Sequence, residues 1–178
     1  MWNPREKRLE LPALRERRQS ARNDGQIVVW SNGTFDLMHP GHVRSLEQAR
    51  ALGDLLIVGI NSDRSVRAYK GPHRPILSAE ERAALIAGLE CVDYVLIFDD
   101  DTPMEVLRVL QPDIHCKGAE YAPPHGRPVP ERAIVEAYGG RIEYLPLIPG
   151  ISTSDLVHRV QQRMNQPLSN PATSAEAA

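Results

Sequence analysis

From Gln26 onward, short β-branched runs alternate with amphipathic stretches, the pattern of βαβ units that build a parallel sheet. Residues 27–30 (Ile-Val-Val-Trp) are apolar without a break, as a strand covered on both faces should be, and they lead into an Asn32-Gly33 turn. From Pro40, the residues Val43, Leu46, Ala49 and Leu52 recur at helical spacing. Proline suits a first helical turn, where its missing N–H would have had no partner. Gly53 stops this helix, and residues 55–60 form a second strand. Ser78 with Glu81 makes a capping box for a helix running to Leu89, and residues 94–98 follow as a third strand. Thr102 caps a helix carrying Val106, Leu107 and Leu110, and residues 113–116 make a short fourth strand. Residues 132–138 form a helix closed by Gly139-Gly140, residues 142–145 a fifth strand, and Ser152 or Ser154 opens a last helix with Leu156, Val157 and Val160.

The expected architecture is one α/β domain over residues 25–164, a Rossmann-like, doubly wound, five-stranded parallel sheet with helices on both faces. Residues 1–24 read as a helical extension. Its basic residues (Arg5, Lys7, Arg8, Arg15, Arg17, Arg18 and Arg22) interleave with Glu6, Glu10 and Glu16, so a salt-bridged, exposed helix is expected. Residues 165–178 hold Pro, Ser, Asn and Ala with little to bury, and are expected to be a disordered tail. A length of 178 residues suits a single core, and a formal net charge of −2 argues against bulk attraction to nucleic acid or an anionic membrane. No apolar run approaches the roughly 20 residues of a membrane span, and no signal-peptide core opens the chain. Two cysteines, Cys91 and Cys116, are too few for a disulfide framework, and a reducing cytoplasm fits best.

Ligands of open parallel sheets bind beyond the carboxyl ends of the strands. The segment after the first strand, Gly33-Thr34-Phe35-Asp36 with His39-Pro40-Gly41-His42, lacks a P-loop lysine and a three-glycine fingerprint. It offers instead two imidazoles on one face of a first helical turn, beside unpaired N–H groups and a positive dipole end. Gly41, between them, leaves the backbone open to a bulky triphosphate. Gly150-Ile151-Ser152-Thr153-Ser154-Asp155 supplies hydroxyls and N–H groups at another helix start. Asn61-Ser62-Asp63, Lys70, Arg74 and Arg82 place cations on the loop side of the sheet, suited to a substrate phosphate and to developing pyrophosphate charge.

These motifs resemble the cytidylyltransferase-like superfamily of nucleotidylyltransferases, over about residues 26–160. The resemblance implies that His39 and His42 bond triphosphate oxygens, that Ile151, Ser152, Thr153 and Ser154 contact the nucleotide phosphates, and that Mg²⁺ is held mainly by nucleotide oxygens. Asn61-Ser62-Asp63, Lys70-Gly71, Arg74-Pro75, Glu81-Arg82 and Lys117-Gly118-Ala119-Glu120-Tyr121 are similar to one branch in particular. That branch is the adenylyltransferase domain of ADP-heptose synthase, which acts on D-glycero-β-D-manno-heptose 1-phosphate. Ala119 and Glu120 stand where that branch has Gly and Asp, and Thr34 where it often has Cys. The expectation is transfer of AMP from ATP to a sugar 1-phosphate. His39, His42, Lys70 and Arg82 would be catalytic; Gly33, Thr34, Phe35, Asp36, Gly41, Lys117, Gly118 and residues 151–154 would bind nucleotide; Asn61, Asp63 and Arg74 would bind the acceptor. The resemblance also implies a homodimer, and a separate sugar kinase acting upstream.

The segment Gly150-Ile151-Ser152-Thr153 departs from that branch and is closer to glycerol-3-phosphate cytidylyltransferase. That enzyme, an FMN adenylyltransferase, a non-catalytic nucleotide-binding module and an interaction protein working through residues 5–22 stay open as alternatives. His115, Cys116 and His125 lack zinc spacing, and Asp99-Asp100-Asp101 is simplest as a helix cap.

Overall fold

A computed structural model describes residues 3–146, 148 and 150–165. Five parallel strands lie in the order β3-β2-β1-β4-β5: β1 (Val28–Gly33), β2 (Leu55–Asn61), β3 (Tyr94–Phe98), β4 (Ile114–Gly118) and β5 (Arg141–Leu145). The strand order reverses beside β1, so the switch point of the sheet lies at the carboxyl ends of β1 and its neighbours. The helices are α1 (Leu11–Asn23), α2 (Pro40–Arg50), α3 (Asp63–Lys70), α4 (Ala79–Ala87), α5 (Met104–Leu110), α6 (Arg132–Ala137) and α7 (Thr153–Met164).

The expected doubly wound sheet is present, with one apolar core on each face. Val29, Val58, Ile60 and Ile114 pack with Leu46 and Ala49 of α2 and with Ala83 and Ile86 of α4. Trp30, Ile57, Leu96 and Phe98 pack on the opposite side with Leu14 of α1, Leu107 of α5 and Val135 of α6. Gly59 interrupts an otherwise apolar β2 because the Trp30 indole lies over it; a Cβ there would come within 2.3 Å of the ring. The Ser78–Glu81 capping box forms as expected, whereas Pro103, not Thr102, stands at the N-cap of α5. Ile27 falls outside β1: its N–H is taken by the Asp54 carboxylate at 2.7 Å, and its carbonyl accepts from Asp54 and Leu55.

Two elements depart from the sequence reading. Helix α3 was not expected; it occupies residues Asp63–Lys70, to which the sequence pattern assigned no element. The N-terminal extension is not an exposed helix. Leu14, Arg18 and Ala21 of α1 are buried, and Arg18 reaches across to the Gln111 carbonyl (2.9 and 3.0 Å) and to Asp113 (2.8 Å). Ahead of α1, the Leu9 N–H bonds the Val95 carbonyl at 3.0 Å, Arg8 bridges to Val95, and the Lys7 ammonium caps the carbonyls of Leu89 and Val92. This segment lies along the outer edge of β3. Of the expected tail, residues 166–178 lie outside the described residues; Asn165 is the C-cap of α7. No helix among the described residues is long and apolar enough to cross a membrane.

Candidate active site

The chain leaves β1 through Thr34, Phe35, Asp36 and Leu37 and enters α2 at His39, its N-cap. Phe35 (φ 52°) and Leu37 (φ 47°) both adopt left-handed backbone, a conformation costly for non-glycine residues and one that persists only where neighbours enforce it. Asp36, between them, supplies the enforcement. Its buried carboxylate accepts from the Ile76 N–H on both oxygens (3.0 Å each), the Leu77 N–H (3.1 Å) and Arg74 Nη1 (2.8 Å). Burial works to raise the Asp36 pKa, but the two N–H donors and Arg74 outweigh it and hold the carboxyl below its ordinary value. Asp36 thus fastens the β1–α2 loop to the loop that carries Arg74.

His39 and His42 come together as their spacing implied. Their rings stack, with centroids 3.8 Å apart and planes 18° apart, and Phe35 meets the His42 ring edge-on at 5.4 Å. Gly41 makes the stack possible, since a Cβ at that position would approach the His39 ring to 2.9 Å. Burial, then repulsion from His39 and Lys70, pushes the His42 pKa down to about 4, and burial lowers that of His39. Both rings are therefore neutral near pH 7, each with one N–H to donate. Each Nδ1 is buried without a protein partner.

The second helix start meets the first. Thr153 Oγ1 donates to the Asp36 carbonyl at 2.8 Å, joining α7 to the β1–α2 loop across 117 positions of sequence. Ser152 is the N-cap of α7, and its hydroxyl exchanges bonds with Asp155 (2.7 and 3.1 Å). Both hydroxyls are thus engaged within the protein. What α7 offers a ligand is the first-turn N–H groups of Thr153 and Ser154, which have no helical carbonyl to bond. Two helix starts and a pair of neutral imidazoles therefore meet at one mouth, an arrangement of donors suited to a polyphosphate.

The cytidylyltransferase-like family model matches residues 30–159. The chain belongs to the cytidylyltransferase-like family. The chain is 47% identical over 154 residues to a bifunctional protein HldE of Syntrophotalea carbinolica, covering 86% of this chain and 31% of that protein. It is 49% identical over 142 residues to a bifunctional protein HldE of Trichlorobacter lovleyi, covering 80% and 28% respectively. The chain thus spans about three tenths of the length of these relatives. Among solved structures, the lipopolysaccharide core biosynthesis protein of Thermoplasma volcanium is similar at a TM-score of 0.56 and 27% identity, over 70% of this chain and 98% of that one. Pantoate–β-alanine ligase of Francisella tularensis shares the fold at a TM-score of 0.54 and 12% identity, over 92% of this chain and 81% of that one.

Within this cytidylyltransferase-like site, several cations expected to bind phosphate are committed to protein partners instead. Arg82 is fully buried, with Nη1 on the Thr34 carbonyl (2.6 Å), Nε on the Leu77 carbonyl (3.0 Å) and Nη2 on Asp63 (2.7 Å). It positions the β1 exit rather than facing solvent, and it occupies the Asp63 carboxylate expected to meet the acceptor. Lys117, expected at the nucleotide or sugar phosphate, pairs at 3.3 Å with the buried Glu131 and lies 4.6 Å from the centre of the Tyr121 ring. The Asn61 amide bonds Ser65 Oγ at 3.2 Å inside the fold. Gly118 lies under the exposed Glu120 side chain, whose carboxylate would have to swing aside for a Cβ there. Lys70, at the end of α3, has no ion pair among the described residues. Desolvation of its ammonium end and repulsion from Arg74 lower its pKa, against attraction from Asp36, with Arg82 lowering it further. It is the cation left available. Two residues missed by the sequence reading, Tyr69 and Glu131, complete the surroundings. Tyr69 could have been found from its place beside Lys70; Glu131 carried no local signal.

The metal expectation is constrained by the same commitments. No group of three or more His, Cys, Asp or Glu placed to hold a metal occurs among the described residues, and the Asp36 carboxylate is already filled by its three donors.

Buried neutral histidines also set a pH dependence of stability. His115 in β4 is fully buried, its two ring nitrogens have no partner, and burial takes its pKa down to about 3, with Lys117 adding to the shift. A lowered folded-state pKa means that the unfolded chain binds the proton first as pH falls through about 6.5. Stability is therefore full above that pH and is lost progressively on acidification toward the folded value. Between pH 7 and pH 5, His115 alone should cost about 2 kcal/mol of unfolding free energy. His115→Asn should flatten the dependence of the urea midpoint on pH in that range; an unchanged slope would count against the buried neutral ring.

Proposed function

We propose that the chain transfers AMP from ATP to the phosphate of a sugar 1-phosphate, with D-glycero-β-D-manno-heptose 1-phosphate as acceptor, releasing pyrophosphate and ADP-heptose. The observation that carries this reading is the stacked pair His39 and His42 at one helix start, tied through Asp36 and Thr153 to a second. An acceptor phosphate oxygen attacks the α-phosphorus while the bond to the bridging oxygen of pyrophosphate breaks in line. The acceptor is already anionic, so no side chain is needed as nucleophile or base. The protein contributes position and charge compensation. The imidazole N–H groups and the first-turn N–H groups of α7 hold the triphosphate, with the backbone N–H groups of Thr34 and Phe35 beside them, and Lys70 neutralises the incoming acceptor phosphate. Mg²⁺ would be carried on the nucleotide oxygens and water.

The choice of acceptor is supported by the relatives named bifunctional protein HldE, by the lipopolysaccharide core biosynthesis protein that shares the fold, and by the motifs of the ADP-heptose synthase branch. Pyrophosphate release should be measured with ATP and CTP, each crossed with heptose 1-phosphate and glycerol 3-phosphate. ATP with heptose 1-phosphate should exceed the other three combinations by at least an order of magnitude, since a mismatched polar contact typically discriminates that strongly. Preference for CTP with glycerol 3-phosphate would replace this reading with a cytidylyltransferase.

A further inference from the structure

Tyr69 is the next-to-last residue of α3 and is 53% exposed, yet its side chain is held at both ends. The backbone of α3 fixes one end, and the phenolic hydroxyl shares a hydrogen bond with Oγ1 of the buried Thr34 at the exit of β1. A single exposed aromatic is ordinary; one that has lost its rotamer freedom while its ring stays open to solvent has been ordered before any ligand arrives. The hydroxyl end is the desolvated end: burial raises its pKa, the Thr34 bond lowers it, and the Tyr121 phenol is near enough to raise it further. The ring thus spans the gap between the loops that follow β1 and β2, at the switch point of the sheet.

The available cation adjoins it. The Lys70 ammonium lies 5.8 Å from the centre of the Tyr69 ring. Across the mouth a second lysine–tyrosine pair, Lys117 over Tyr121, has its charge answered by Glu131. Only the Tyr69–Lys70 pair therefore combines a half-exposed ring with an ammonium in no ion pair among the described residues. A ligand matching that combination carries a dianionic phosphate next to a rigid body with a C–H face, which is the chemistry of a pyranose 1-phosphate.

Resting on the function proposed above, we propose that Tyr69 is the platform for the acceptor's sugar ring, and that it selects ring acceptors over open-chain phosphates. Lys70 takes the phosphate, the ring face of Tyr69 takes the C–H face of the sugar, and Thr34 keeps the platform from swinging away.

The test uses the full chain with ATP, varying heptose 1-phosphate and, separately, glycerol 3-phosphate. Tyr69→Ala should raise KM for heptose 1-phosphate about tenfold, leave KM for ATP within about twofold, and leave the poor use of glycerol 3-phosphate unchanged. Tyr69→Phe keeps the ring and loses only the Thr34 bond, so its KM for heptose 1-phosphate should rise about threefold. A purely structural tyrosine would move both KM values and kcat together, and would lower the melting temperature; that result overturns the platform. An unchanged acceptor KM in Tyr69→Ala, with wild-type protein active on heptose 1-phosphate, also overturns it and leaves the parent function standing. If wild-type protein turns over neither heptose 1-phosphate nor mannose 1-phosphate or glucose 1-phosphate, the parent function fails and the platform falls with it.

Discussion

Replacing His42 by alanine should lower kcat for pyrophosphate release by at least two powers of ten while the urea midpoint stays close to wild type. The ring is neutral at working pH, with burial holding its pKa down to about 4, so it serves as a hydrogen-bond donor rather than as a fixed charge. A donor whose bond strengthens as negative charge develops on transferring phosphate oxygens acts mainly on the transition state, and losing one such donor typically costs about 3 kcal/mol. His42 stacks on His39 and meets Phe35 edge-on, so its removal leaves the His39 ring without a partner as well. The loss should therefore exceed that of His39→Ala, since His39 has no edge-on contact with Phe35. His42→Asn keeps a donor of different reach and should recover part of the rate. Turnover in His42→Ala within a few fold of wild type would detach the imidazole pair from the chemistry.

Arg82 should behave differently, failing in stability before it fails in ligand binding. Three protein acceptors (the Thr34 carbonyl, the Leu77 carbonyl and the Asp63 carboxylate) converge on one fully buried guanidinium. Arg82→Leu would leave one buried carbonyl, one part-buried carbonyl and a part-buried carboxylate unanswered, a change that costs about 3–5 kcal/mol when one partner of a buried pair is removed. Arg82→Lys should not restore the loss, because an ammonium cannot reproduce a planar fork aimed at three acceptors. Equilibrium urea unfolding at pH 7 checks the claim. A midpoint near wild type, accompanied by a selective rise in KM for either substrate, would return Arg82 to the role of a phosphate ligand that the sequence had suggested.

The contrast between these two residues marks what could be read from the chain. The strands, their parallel order of build-up and the meeting of His39 with His42 follow from local signals: β-branched runs, caps, and two imidazoles three positions apart at a helix start. Whether a given arginine or lysine reaches solvent depends on what stands opposite it in space. Arg82 is answered from 19 positions upstream and Lys117 from 14 positions downstream, and neither Asp63 nor Glu131 differs in sequence from an ordinary surface acid. Helix α3 escaped notice for another reason. Of its eight residues only Ser65 and Val66 are buried, so the helix is short and polar on average, and the Ser62 cap was its clearest sign. The extension before β1 was misjudged because its charges dominate, although Leu14 and Ala21 lie seven positions apart on one face and Arg18 between them is sunk against the Gln111 carbonyl.

The Val95 carbonyl, taken by Leu9, bears on how the molecule keeps to itself in concentrated solution. A parallel sheet has two rims, and each is a template for a stranger's backbone. The β5 rim is guarded by charge, through the Arg141–Glu143 contact at 2.8 Å. The β3 rim is guarded by Arg8 and Leu9, so deleting residues 3–10 would bare an adhesive margin and should make the protein clump as its concentration rises.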